Sequence, residues 1–153
     1  MASSPETLSD LADIHLVTGA EAYLVCVLPM LPYEYRDINS LDPHFVVSLH
    51  CNAYNGQASG TEVLYYHKSK IGEGIAKILQ NHLLKFLGLR DRGIQPKTSE
   101  DRGGHLLRYT RAPCVIAEPF FIDNDQDLAK ATENLEGLAA AYARAIDEMA
   151  QVV

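Results

Sequence analysis

The sequence predicts an α/β fold of three layers, α/β/α, around a mostly parallel central sheet. Near-continuous apolar runs of strand length recur at 23–28, 45–50, 61–66 and 114–117, as in sheets buried on both faces. Segments of helical apolar period alternate with them and supply the covering layers. With 153 residues, 47% hydrophobic and 22% charged, the chain can bury one substantial core without disulfide or metal staples. Residues 1–153 read as a single domain without internal repeats.

Taken in order, Ser4, Pro5 and Glu6 form a helix start: an N-cap serine, proline at the first helical position and an acid in the first turn. That helix runs to about Val17 and stops at Gly19. Residues 23–28 form a strand broken by Pro29 and Pro32, and 33–42 read as a loop or short helix. The second strand, 45–50, closes at the polar, Gly-containing stretch 52–60, and 61–66 form the third. Ile71, Ile75, Ile78, Leu79, His82, Leu83 and Phe86 recur at helical spacing and end at Gly88. Residues 89–104 are polar, rich in Gly and Arg, and long for a structureless connection, so a task is expected of them. The fourth strand, 114–117, ends in Glu118 and Pro119. A single stripe of Leu128, Ala131, Leu135, Leu138, Tyr142, Ala145 and Met149 predicts one closing helix.

Composition narrows the function. No apolar run reaches the ~18 residues of a membrane span. The N-terminus has neither the basic nor the apolar region of a secretory signal, so the chain is expected to be made in the cytoplasm without one. Cys26, Cys51 and Cys114 are scattered among apolar neighbours and read as buried reduced thiols. Cys51 adjoins His50, but successive strand residues point to opposite faces, so adjacency makes no Cys–His dyad. The net charge is −7, yet residues 68–111 hold 10 of the 13 Lys and Arg and only 4 of the 20 Asp and Glu. No aromatic–basic interleaving accompanies that segment, and no nucleic-acid partner is expected.

Ligand sites of open α/β sheets lie just beyond the carboxyl ends of the strands. His50 and Glu118 fall at two such ends. A neutral imidazole is a common zinc ligand, and a carboxylate near an activated water can act as general base. The bland readings are a hydrogen-bonded structural histidine and a buried ion pair. Glu118 follows four apolar residues, a position costly to hold without a partner. Asn52 either orients the His50 loop or bonds its own turn, and Arg108 either meets a ligand carboxylate or pairs with a nearby acid. His44 opens the strand that His50 ends, some 20 Å away, so the two cannot share a metal. His67, ending the next strand, reaches the same edge in principle, and His105 borders it; both read first as surface residues.

Phe45-Val-Val-Ser-Leu-His-Cys-Asn-Ala53, Gly60-Thr-Glu-Val-Leu-Tyr-Tyr66, the Asp91-Arg92-Gly93 turn and Leu107-Arg-Tyr-Thr-Arg-Ala-Pro-Cys-Val-Ile-Ala-Glu-Pro-Phe-Phe121 occur in this order, followed by Asp123 and Asn124. Together they resemble the zinc-dependent N-acetylmuramoyl-L-alanine amidases, in a variant similar to those of phage and prophage. The resemblance implies a peptidoglycan hydrolase that cleaves the amide between N-acetylmuramic acid and L-alanine of the stem peptide. It implies Zn2+ as cofactor, His50 of a Ser-x-His-x-Asn motif as one ligand, and Glu118 as general base. Glu6 stands where the family's ligand Glu opens the first helix, although an acid there also suits the helix dipole. The family's first strand and its His have no counterpart, so the domain is expected to lack that strand. His15 lies within the predicted helix and reads as an ordinary helix-face residue. The competing expectation is a non-catalytic module that binds cell-wall peptide and has an incomplete zinc site. The hydrolase would act at the cell wall, as an autolysin or, after phage-type release, an endolysin.

Overall fold

The computed structural model describes residues 34–153. The helix expected from Ser4, the strand at 23–28, and Glu6, His15 and Cys26 lie outside the described residues.

Four strands form one sheet in the order β1-β4-β2-β3 among the described residues: β1 (Val46–Leu49), β2 (Thr61–Tyr66), β3 (Asp91–Lys97) and β4 (Cys114–Glu118). β1 and β4 run parallel, in register from Val46 with Cys114 to Leu49 with Ala117. β2 is parallel to β3 but antiparallel to β4, with Glu62 opposite Glu118. Two of three pairings are parallel, and the middle one reverses the direction of half the sheet. β2 therefore begins at the edge where β1 and β4 end. His67 follows Tyr66 and sits at the opposite edge from His50, which corrects the expectation that it reaches the same one. Glu62 takes that place.

Side chains alternate across the sheet and find helices on each face. Val47, Val63, Val115 and Ala117 meet α2 (Lys70–Leu87) and α5 (Leu135–Met149), where Ile75, Leu79 and Leu83 are fully buried, and Ala131 of α4 (Asp125–Thr132) joins them. Val46, Leu64, Cys114 and Ile116 meet Ile38 of α1 (Glu34–Ser40) and Leu106 and Leu107 of α3 (Gly104–Tyr109). Each fully buried aliphatic side chain contributes roughly 1.5–3 kcal/mol. This is the expected three-layer arrangement. α2 matches its periodicity: Ser69 Oγ accepts from the Gly72 N–H, and Gly88 at φ 60° donates its N–H to the Leu84 carbonyl. No helix among the described residues is long and apolar enough to cross a membrane.

Two elements differ from expectation. Residues 89–104 contain β3 and begin α3. The sequence of β3 lacks alternation, places Gly93 at φ 78° and includes Pro96, all tolerable because, among the described residues, β3 pairs with β2 alone. The stripe from Leu128 to Met149 is two helices. Asn134 Oδ1 accepts from the Gly137 N–H at 2.8 Å and starts α5 afresh, leaving Leu135 60% exposed.

Candidate functional site

Beyond Leu49 the ladder continues by one bond, from the His50 N–H to the Ala117 carbonyl at 3.0 Å. His50 thus lies beside Glu118, and Glu118 lies opposite Glu62. Alternation from Val46, Ile116 and Leu64 puts all three side chains on the α3 face of the sheet, in a row spaced by about 4.8 Å per strand. The imidazole is held on that face by Ser48, whose fully buried Oγ lies 2.9 Å from Nε2.

The row contains an imidazole and two carboxylates in different states. Glu62 is buried with both oxygens engaged: Oε1 accepts from Asn52 Nδ2 at 2.6 Å and Oε2 from Arg92 Nε at 2.9 Å. The Arg92 guanidinium in turn lies 5.0 Å from the centre of the Phe121 ring. Burial, followed by the hydrogen bond and charge of Glu62, pushes Glu118 up to about 7, while Arg102 and Lys97 pull against that rise. Burial and, secondarily, the Arg102 charge lower His50 below the usual imidazole value, so its neutral form prevails at pH 7. Glu118 is consequently a carboxyl group able to exchange a proton near neutrality beside a ring able to donate a lone pair. The two described thiols are not activated. Cys51 is only half-buried, but burial and the Glu118 charge raise it, and burial pushes Cys114 up to about 12.

The rim of the site is tied by acids whose oxygens bind backbone N–H groups. Asp127, fully buried, accepts from Ser59 Oγ at 2.6 Å and from the Gly60 and Phe121 N–H groups at 3.0 Å each. Asp123 Oδ2 accepts from the Tyr54 and Gly56 N–H groups at 2.9 Å, and Thr61 Oγ1 donates to the Pro119 carbonyl at 2.7 Å. The connection after β1 is thereby fastened to the connection after β4. Between them opens a cavity of about 420 Å³ bordered by Asn52, Tyr54, Glu62, Arg92, Arg102 and Phe121, a volume suited to a small ligand or peptide segment.

The structure brings His50, Asn52 and Glu118 together. It does not bring Arg108 to them: its guanidinium lies 5.3 Å from the Tyr66 ring and 5.5 Å from the Tyr109 ring, at the end of β2 away from Glu62. His105 packs there too, 4.4 Å from the Tyr109 ring. Glu62, Arg92, Arg102 and Asp127 were missed as site residues. Glu62 carried the same signal as Glu118, a carboxylate within an apolar run; Arg102 carried none. Among the described residues no three His, Cys, Asp or Glu side chains are grouped to hold a metal ion. His50 has the chemistry of a metal donor.

The family model described as N-acetylmuramoyl-L-alanine amidase matches residues 30–148. The chain belongs to this family. It is 34% identical over 92 residues to an uncharacterized cell wall amidase of Bacillus anthracis, covering 53% of this chain and 16% of that protein. It is 34% identical over 87 residues to YqiI, an uncharacterized protein of Bacillus subtilis strain 168, covering 55% of this chain and 39% of that one. Among solved structures it resembles the catalytic domain of the CD27L endolysin, which targets Clostridia difficile. There the TM-score is 0.66 at 30% identity, over 76% of this chain and 61% of the other. The chain thus spans less than two thirds of the length of each of these relatives.

Proposed function

We propose that the chain is a peptidoglycan hydrolase that cleaves the amide between N-acetylmuramic acid and the L-alanine of the stem peptide, and that it acts at the cell wall. The observation that carries this reading is the placement of His50 and Glu118 side by side on one face of adjacent strand ends, next to an open cavity, in a chain of the amidase family. Glu118 accepts a proton from the attacking water and returns it to the leaving amine nitrogen, two transfers that favour a carboxyl group titrating near neutrality. In the tautomer that donates Nε2–H to Ser48, the lone pair of Nδ1 stays free, and through it His50 would hold zinc. Glu6 is the second ligand inferred from the sequence. A zinc ion held there would supply Lewis acidity toward the attacking water. Asn52, pinned between the Glu62 carboxylate and the backbone of residues 120–122, orients the strand end that carries His50.

The test is the zinc content of protein purified without chelator, together with release of free amino groups from cell-wall material. Close to one zinc per chain is expected, with hydrolysis that a chelator abolishes. Glu118→Gln should lower turnover by roughly 10²–10⁴-fold and leave wall binding intact. Unchanged turnover would remove Glu118 from the mechanism, and wall binding without zinc or hydrolysis would make the chain a binding module.

A further inference from the structure

The cavity beside Glu62 holds two guanidinium groups in different states. Arg92 is committed, through its ion pair with Glu62 at 2.9 Å and its contact with the Phe121 ring. Arg102 borders the same cavity and has no hydrogen bond, ion pair or ring contact among the described residues. Glu62, which lines this cavity together with Arg102, stands opposite Glu118 across one strand pairing.

The turn that carries Arg102 is fixed. Asp101 Oδ2 accepts from the Thr98 N–H at 2.6 Å and from Thr98 Oγ1 at 2.9 Å, and the Gly104 N–H donates to the Asp101 carbonyl at 2.8 Å. Gly103, at φ 76°, passes so close to the sheet that a Cβ there would stand 2.6 Å from Ile116 Cδ1. The guanidinium is thus presented over the sheet edge from a backbone with little freedom to withdraw.

We propose that Arg102 binds a carboxylate of the stem peptide in this cavity, and so selects substrates in which that group is free over those in which it is an amide. The proposal rests on the amidase reading of the neighbouring site. Glu62 is already satisfied by Arg92 and Asn52, which leaves Arg102 as the unpaired charge bordering the cavity among the described residues. A guanidinium fork matches a carboxylate in two parallel hydrogen bonds and gains far less from a primary amide. The dimensions also agree. Peptide backbone advances about 3.5 Å per residue, so a carboxylate one or two residues beyond the scissile amide spans the single strand spacing from Glu118 to the Glu62 side of the cavity.

The experiment is calorimetric titration with two probes: a muramoyl dipeptide whose second residue carries a free α-carboxylate, and the same dipeptide with that group as a primary amide. The expected result is at least roughly tenfold tighter binding of the acid by the unsubstituted protein. Arg102→Gln should bind both probes as weakly as the amide, with an unchanged thermal midpoint because the residue is exposed and uncontacted; Arg102→Lys should keep part of the preference. Equal affinities, no binding of either probe, or a preference that survives in Arg102→Gln would overturn the proposal. Binding requires no turnover, which separates the two readings. Acid-selective binding without hydrolysis would leave Arg102 in its role and sink the amidase reading. Hydrolysis of both dipeptides at one kcat/KM would do the reverse.

Discussion

The two ends of the sheet are held by different physics. Where β1 and β4 finish, polar groups are buried and saturated: Asp127 accepts three hydrogen bonds without exposed surface, and Glu62 accepts two. Where β2 and β3 finish, Tyr35, His105 and Tyr109 pack ring against ring at 4.4–5.7 Å, and Arg108 lies over Tyr66. A buried carboxylate is costly without donors and strongly directional with them, so the first end is locked geometrically. Ring contacts at a surface tolerate sliding. Positioned chemistry belongs at the end that is locked, and the two ends should respond unequally to substitution.

Asp127→Ala should give the largest loss of stability. It orphans the buried N–H groups of Gly60 and Phe121 as well as the Ser59 hydroxyl, and each unsatisfied buried group costs about 1–3 kcal/mol. Denaturant unfolding should register a loss of about 3 kcal/mol or more. A loss below about 1 kcal/mol would put both ends on an equal footing and break the comparison.

The next effect is a pH dependence confined to the locked end. Glu118 titrates at about 7 in the fold against an ordinary value of 4.5, so the native state holds this proton more tightly than the unfolded chain does. Its contribution to stability is fully present below about 4.5 and is lost as pH rises through about 7. Asp101 and Asp123, held low by backbone N–H groups, act at more acid pH and with the opposite sign. Chelator-treated protein should therefore lose stability between pH 5 and 7.5, and Glu118→Gln should flatten that slope. Glu62→Gln removes the like charge, so it should shrink the same slope and shift the rising limb of turnover to lower pH. An unaltered slope in Glu118→Gln would assign the titration to another group.

How far the sequence anticipated this end follows from what a pattern can carry. The apolar runs located β1, β2 and β4, the stripe from Ile75 to Phe86 located α2, and His50 and Glu118 were picked out as strand ends. Direction is different, because an apolar run reads the same whichever way the strand points. The reversal of β2 was therefore invisible, and with it the exchange of Glu62 for His67 at the site. β3 was hidden because Gly93 and Pro96 suit an edge strand and a loop equally. Asn134 interrupts a helix without interrupting its periodicity. Arg102 matters only because the turn after β3 folds back over the sheet, a long-range fact with no local signature.

The smallest effect belongs to the other end and tests whether the ends are functionally separate. Arg108 was the arginine that the sequence offered for a peptide carboxylate. Its guanidinium instead lies over the Tyr66 and Tyr109 rings on an exposed surface, where such a contact is worth about 0.5–1 kcal/mol. Arg108→Ala should lower stability by no more than that in denaturant unfolding, and should leave kcat/KM for a muramoyl peptide unchanged. The two exposed arginines thus make opposite demands on one pair of assays. Arg102→Gln should alter acid binding without altering stability, and Arg108→Ala should alter stability slightly without altering acid binding. If Arg108→Ala instead lowered kcat/KM in a folded protein, the substrate would have to extend along α3 to the far edge, and the ring cluster there would be part of its binding surface.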